Sequence, residues 1–227
     1  MISNQKVVLV VSAHSDDEAI GCSGTIARHI DNGDIVHLLF MTDGVSSRGT
    51  SEFTKVNRIN AAQQAAKLMG IKNLEVLSFP DNEMDSIPLL SIVKKVEKKI
   101  ENLQPEIIYT HHAGDLNIDH QITHRAVITA CRPQPGFCVK EIYAFEVLSS
   151  TEWNTPTIHP FSPTVFVNIT KFINIKKKVL EIYSDEMRSA PHSRSVQNII
   201  NLNKVRGNAV GVDYAEAFIL HRLIKSN

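Results

Sequence analysis

The chain has 227 residues, 43% of them hydrophobic, enough to bury one sizeable core, and it reads as a single domain over residues 1–227. Lys plus Arg and Asp plus Glu both number 24, so the formal net charge is zero and the chain lacks the basic excess of a nucleic-acid binder. It has no run of 18 apolar residues to span a membrane, and Met1-Ile-Ser-Asn-Gln-Lys6 has no signal-peptide apolar region. The three cysteines, Cys22, Cys131 and Cys138, form no CxxC pair and read as reduced thiols, so a cytoplasmic protein is expected.

Apolar runs then alternate with helical patterns. Residues 6–12, rich in Val, predict a buried strand. Residues 24–32 continue a helix begun in the preceding polar stretch, with Gly33 as its stop. A second strand is predicted over 35–42, a helix over 53–69 ended by Gly70, and a third strand over 73–79. Leu89, Ile92, Val93, Val96, Ile100 and Leu103 recur at helical spacing, so 88–103 is an amphipathic helix with Pro88 in its first turn. Strands over 106–110 and 140–147 flank a helix over 119–131. Residues 148–163 carry three prolines and read as loop, 164–169 as a further strand, and 173–187 and 195–205 as helices. Residues 214–224 fit strand or helix equally well. The β-α-β alternation predicts an α/β fold with a parallel, doubly wound sheet.

In such sheets ligands bind outside the carboxyl ends of the strands. The four loops there are His14-Ser-Asp-Asp-Glu18, Thr42-Asp-Gly-Val-Ser-Ser-Arg48, Pro80-Asp-Asn-Glu-Met-Asp85 and His111-His-Ala-Gly-Asp-Leu-Asn-Ile-Asp-His120. All are rich in Asp, His, Ser or Asn. Imidazole and carboxylate bind Zn²⁺ at about 2.0–2.2 Å. His14 and Asp17 can meet at one point on a tight strand-to-helix turn, and His120 can supply a third ligand. Two His and one carboxylate leave a position open for water, the pattern of catalytic zinc, which lowers the pKa of water from about 15.7 towards about 7. Asp16, beside Asp17, is placed to take the proton as general base.

Plainer readings stand beside these. Ser15 or Asp16 can cap a helix, Asp119 can cap the next one, and His111 and His112 can simply end a strand. His120 and His124 lie one turn apart and can form a ligand pair of their own. Gly21-Cys-Ser-Gly24 matches no phosphate loop and suits close packing of helix on sheet. There is no GxSxG elbow, and Cys22 has little support as a nucleophile.

Ala13-His-Ser-Asp-Asp-Glu18 resembles the AHPDDE motif of the PIG-L/LmbE-like zinc-dependent de-N-acetylases, with Ser15 in place of proline, and Asn117-Ile-Asp-His120 resembles their second motif. Thr42-Asp-Gly44, Arg58, Pro80-Asp81 and Tyr214-Ala-Glu-Ala-Phe218 also look like family landmarks. The resemblance implies a Rossmann-like α/β fold, a mostly parallel sheet with helices on both faces. It implies hydrolysis of an acetamido group on an N-acetylated sugar, one Zn²⁺ (or Fe²⁺ or another divalent ion) on His14, Asp17 and His120, and Asp16 as base. It also implies Arg58 and Asp81 organising the site or holding the sugar, and a homo-oligomer, trimer or hexamer. Asn117 stands where the family has a histidine; it can donate a hydrogen bond to an oxyanion but cannot act as a general acid near neutral pH. Either Asp16 then carries the proton in both directions, or His111, His112 or His124 supplies the second one. His192 and Arg194 are expected to contact an anionic part of the substrate, the alternative being a solvated surface loop. Hydrolysis of another bond, such as a phosphoester, and a non-catalytic sugar-binding role are the competing readings.

Overall fold

The structure is a computed structural model that describes residues 5–44, 52–155 and 157–225. Residues 45–48 of the second predicted loop lie outside the described residues. Five parallel strands, β1 (Val7–Ser12), β2 (Ile35–Thr42), β3 (Asn73–Phe79), β4 (Ile107–His111) and β5 (Glu141–Phe145), form most of a seven-stranded sheet. β6 (Val165–Asn168) and β7 (Ala215–Leu223) complete it in the order β3-β2-β1-β4-β5-β7-β6. The ambiguous segment is therefore strand: β7 inserts antiparallel between β5 and β6, and these partners decide what its own periodicity could not.

β1 is an interior strand buried on both faces, hence its unbroken Val/Leu run. Alternate side chains serve two cores. Val8 and Val10 pack towards α1 (Asp17–Gly21), α2 (Ser23–Asp31), α3 (Glu52–Met69), α6 (Ile173–Ile182) and α7 (Val196–Asn208). Leu9 and Val11 pack towards α4 (Leu89–Leu103) and α5 (Ile118–Ala130). The sheet thus has helices on both faces, as expected. Among the described residues no helix is long and apolar enough to cross a membrane.

Several boundaries differ from expectation. The helix leaving the first motif breaks at Cys22 into α1 and α2. The broken α2 start is satisfied from elsewhere: Glu216 on β7 accepts hydrogen bonds from the Gly24 and Thr25 amides at 2.9 and 2.7 Å. Lys176 Nζ reaches Glu216 Oε1 at 2.6 Å and the Ile20 carbonyl at 2.7 Å, so its buried charge is paired and hydrogen-bonded. α5 starts one residue early, at Ile118, because Asn117 is its N-cap. Pro88 is the N-cap of α4 rather than a first-turn residue. α6 ends at Ile182, where Tyr183 turns inward to donate to Glu18, 2.8 Å away. α7 starts behind its N-cap Ser195, as read, but runs on to Asn208. The predicted loop at 148–163 contains one 3-10 turn, Thr151–Trp153.

Candidate active site

The sheet order reverses direction at β1, with β2 on one side and β4 on the other. The crevice outside the carboxyl ends of β1 and β4 is the switch point where such folds bind ligands. His14 follows β1, Asp17 opens α1, and His120 lies in the first turn of α5 after β4. His14 Nδ1, His120 Nε2 and Asp17 Oδ2 meet there, each 3.3 Å from the other two. A regular tetrahedron of that edge has its centre about 2.0 Å from each corner, a Zn–N or Zn–O bond length.

The surroundings fix which ring nitrogens face inward. His14 Nε2 lies 3.1 Å from Asp119 Oδ2 and 3.2 Å from Asp81 Oδ1. His120 Nδ1 lies 3.0 Å from Asp115 Oδ1. In the neutral tautomers that keep these outer nitrogens protonated toward the carboxylates, the inner two turn lone pairs inward, as metal ligands must. The buried Asp17 Oδ1 has no hydrogen-bond partner among the described residues. Burial favours neutral His14, yet the Asp119, Asp17 and Asp81 carboxylates outweigh it and hold its pKa well above the usual range. His120 is likewise pushed to about 9, against its burial, by Asp17 and Asp115. The carboxylates demand positive charge at this point, and the donor set fits a divalent metal.

The carboxylates behind the histidines are held in turn. Asp119 accepts from the amides of Asn82 and Met84, at 2.7 and 3.1 Å. Asp115 accepts from the hydroxyls of Ser150 and Thr151 and from the Asn117 amide. Sequence reasoning missed both: Asp119 read as a helix cap, and Asp115 had no distinguishing spacing.

Asp16 stands apart from the triangle. Its backbone sits at φ 122°, and its side chain caps nothing, so the capping reading of this residue fails. Its Oδ1 accepts from Arg58 Nη2 at 3.3 Å and its Oδ2 from Arg194 Nη1 at 2.9 Å. Burial raises its carboxyl pKa, and Arg194 and Arg58 counter this only in part. His14, Asp16, Arg58, Asn117, His120 and Arg194 share one cavity of about 150 Å³.

Other predicted residues fall in different places. Arg58 donates to Ser15, Asp16 and Glu186, fixing the loop that carries Asp16. Asp81 lines the same cavity and stands behind His14. His192 does not line the cavity; its Nδ1 accepts from the Arg194 amide, and its ring packs 5.5 Å from Trp153. His111, His112 and His124 do not line it either. His111 Nε2 accepts from the Ala13 amide at 2.8 Å, His112 Nε2 donates to the His159 carbonyl, and His124 Nδ1 donates to the His111 carbonyl. The Cys22 thiol is pushed well up by burial, which removes it as a nucleophile.

Residues 9–131, more than half the chain, match the family PIG-L: GlcNAc-PI de-N-acetylase. The chain is 28% identical over 185 residues to the uncharacterized deacetylase YaiS of Escherichia coli, covering 79% of this chain and 91% of that one. It is 30% identical over 156 residues to a probable N-acetyl-alpha-D-glucosaminyl L-malate deacetylase 2 of Bacillus cereus, covering 65% and 71%. Its fold is similar to that of GalB, the 4-carboxy-2-hydroxymuconate hydratase of Pseudomonas putida, with a TM-score of 0.79 at 22% identity over 98% and 99% of the two chains. One scaffold therefore carries more than one reaction, and the reaction has to be argued from the site. By its matched residues, the chain belongs to the PIG-L family.

Proposed function

We propose that the protein is a metal-dependent hydrolase that removes the acetyl group from an N-acetylated amino sugar or sugar conjugate. The observation that carries this is the triangle of His14, Asp17 and His120, whose two histidines line the same cavity as a separate carboxylate, Asp16. Family membership and the sugar deacetylase among its relatives support the substrate class. Zn²⁺ suits two nitrogens and one oxygen, and Fe²⁺ or another divalent ion suits them also. When bound, the ion supplies a Lewis acid for the carbonyl and makes water acidic enough to react near neutral pH.

The chain's residues do the rest. Asp16 removes a proton from the attacking water as the oxygen–carbon bond forms. Arg58 and Arg194 hold that carboxylate in place. Protonated Asp16 then gives the proton to the nitrogen as the carbon–nitrogen bond breaks, and acetate and a free amine leave. Asp16 carries both transfers because none of the other candidate histidines reaches the cavity. Asp81, Asp115 and Asp119 keep His14 and His120 turned toward the metal. A cytoplasmic location, one domain and assembly into a trimer or hexamer go with this reading.

Zinc-reconstituted protein incubated with N-acetylglucosamine conjugates is expected to release acetate and a free amine in equal amounts. Metal bound without acetate release from any N-acetyl sugar overturns the proposal.

A further inference from the structure

We propose that Arg194 is a catalytic residue with two jobs: one arm of its guanidinium holds Asp16, and the other donates to the substrate carbonyl oxygen as it becomes an oxyanion. This rests on the deacetylase reading above. It supplies an oxyanion donor from the same cavity that Asn117 lines in place of the family's histidine.

Asn117 is committed to structure. Its Oδ1 caps α5 by accepting from the amides of Asp119 and His120, at 2.8 and 3.3 Å. Its Nδ2 donates to Asn82 Oδ1 at 2.9 Å, tying the loop after β3 to the loop after β4. Arg58 is equally committed: Nε goes to Ser15 Oγ, Nη1 to Glu186, and Nη2 to the Ser15 carbonyl and Asp16. The Ser150 hydroxyl donates to Asp115.

Arg194 differs from both. Nε donates to Ser149 Oγ at 2.8 Å and Nη1 to Asp16 Oδ2 at 2.9 Å, while Nη2 has no hydrogen-bond partner among the described residues. The side chain is 18% exposed and borders the cavity that holds His14 and His120. It is also aimed in advance. Its amide donates to His192 Nδ1, its carbonyl accepts from the Arg188 amide, and the next residue is the N-cap of α7. Two side-chain anchors and these backbone anchors leave little entropy to lose when the free arm meets substrate. A planar fork with donors at fixed angles can bridge a carboxylate and a neighbouring oxyanion at once, which a point charge cannot. Its 178-residue separation from Asp16 hid the pairing from sequence reasoning.

Arg194→Ala, Arg194→Lys and the wild type, all zinc-loaded and matched for metal content, are to be compared on a neutral N-acetylglucosamine conjugate. Loss of one oxyanion donor lowers kcat about 10²–10³-fold, and the expected pattern is a loss of that order in Arg194→Ala with little change in KM. Added guanidinium is expected to restore part of it, and Arg194→Lys to remain well below wild type. In a separate equilibrium measurement, binding of a tetrahedral methylphosphonamidate of glucosamine is expected to weaken far more than binding of the planar N-acetyl substrate. A raised KM with unchanged kcat, full activity in Arg194→Lys, or equal weakening of both ligands overturns the proposal. A wild type that binds metal but deacetylates nothing overturns the deacetylase reading and the proposal with it.

Discussion

Asp16 occupies a backbone region that a side chain with a Cβ rarely adopts, at a cost of about 1–3 kcal/mol. The loop tolerates this because Arg58 holds the Ser15 carbonyl and Glu18 accepts from the Asp16 amide. The twist separates two adjacent carboxylates, sending Asp17 to the histidines and Asp16 to the arginines. Asp16→Asn keeps the shape and removes the proposed base, so kcat is expected to fall about 10²–10⁴-fold with metal content unchanged. Steady-state kinetics with metal analysis on the same sample checks this, and wild-type kcat removes Asp16 from the mechanism. Asp115 acts one step further out, on His120 Nδ1. Asp115→Ala is expected to weaken metal binding about 10–100-fold, read by competition with a chromogenic chelator; unchanged affinity would make Asp115 a loop residue only.

At the scale of elements, α1 and α2 must lie close to the sheet to bring Asp16 and Asp17 to the crevice. Gly21 and Gly24 permit it. A Cβ on Gly21 would lie 2.5 Å from Phe145 Cδ2, and one on Gly24 2.9 Å from three atoms of Ile169. Gly21→Ala therefore overpacks the interface and is expected to destabilise the fold by about 1–3 kcal/mol. Urea unfolding measures it, and an unshifted midpoint removes the packing account. The close-packing role was legible in the GxxG spacing, as were β1 to β5 and α4, because each carries its own period or an unbroken apolar run. β7 was not, since its state follows from strands 5 and 6 beside it. The cap Asn117 was legible in principle, being among the residue types that favour N-caps, but its match to a histidine position drew the reading toward chemistry. Asp115 and Asp119 lie in the predicted site loop, but no local signal pairs Asp115 with His120 or Asp119 with His14, and the Arg194–Asp16 contact comes from tertiary folding alone.

For the whole molecule, the triangle proposed to hold the metal joins two parts of the chain about one hundred residues apart, the loops after β1 and β4. β1 and β4 pair directly, so their outgoing loops face each other across the switch point without any further connection. A metal bound there ties α1 to α5 through His14, Asp17 and His120, and the unfolded chain has no such convergent site. Binding therefore stabilises the native state by mass action, about 2.7 kcal/mol when free metal is a hundredfold above Kd. Dialysis against a chelator is expected to abolish acetate release and lower Tm, and Zn²⁺ is expected to restore both together. Asp17→Ala removes one corner of the triangle, so its Tm is expected to respond little to chelator or zinc. Activity that survives chelation, or a Tm in Asp17→Ala that still follows zinc as in wild type, places the metal elsewhere. The two inward imidazole nitrogens face each other at 3.3 Å, so the same measurement tests whether the crevice is built around a cation.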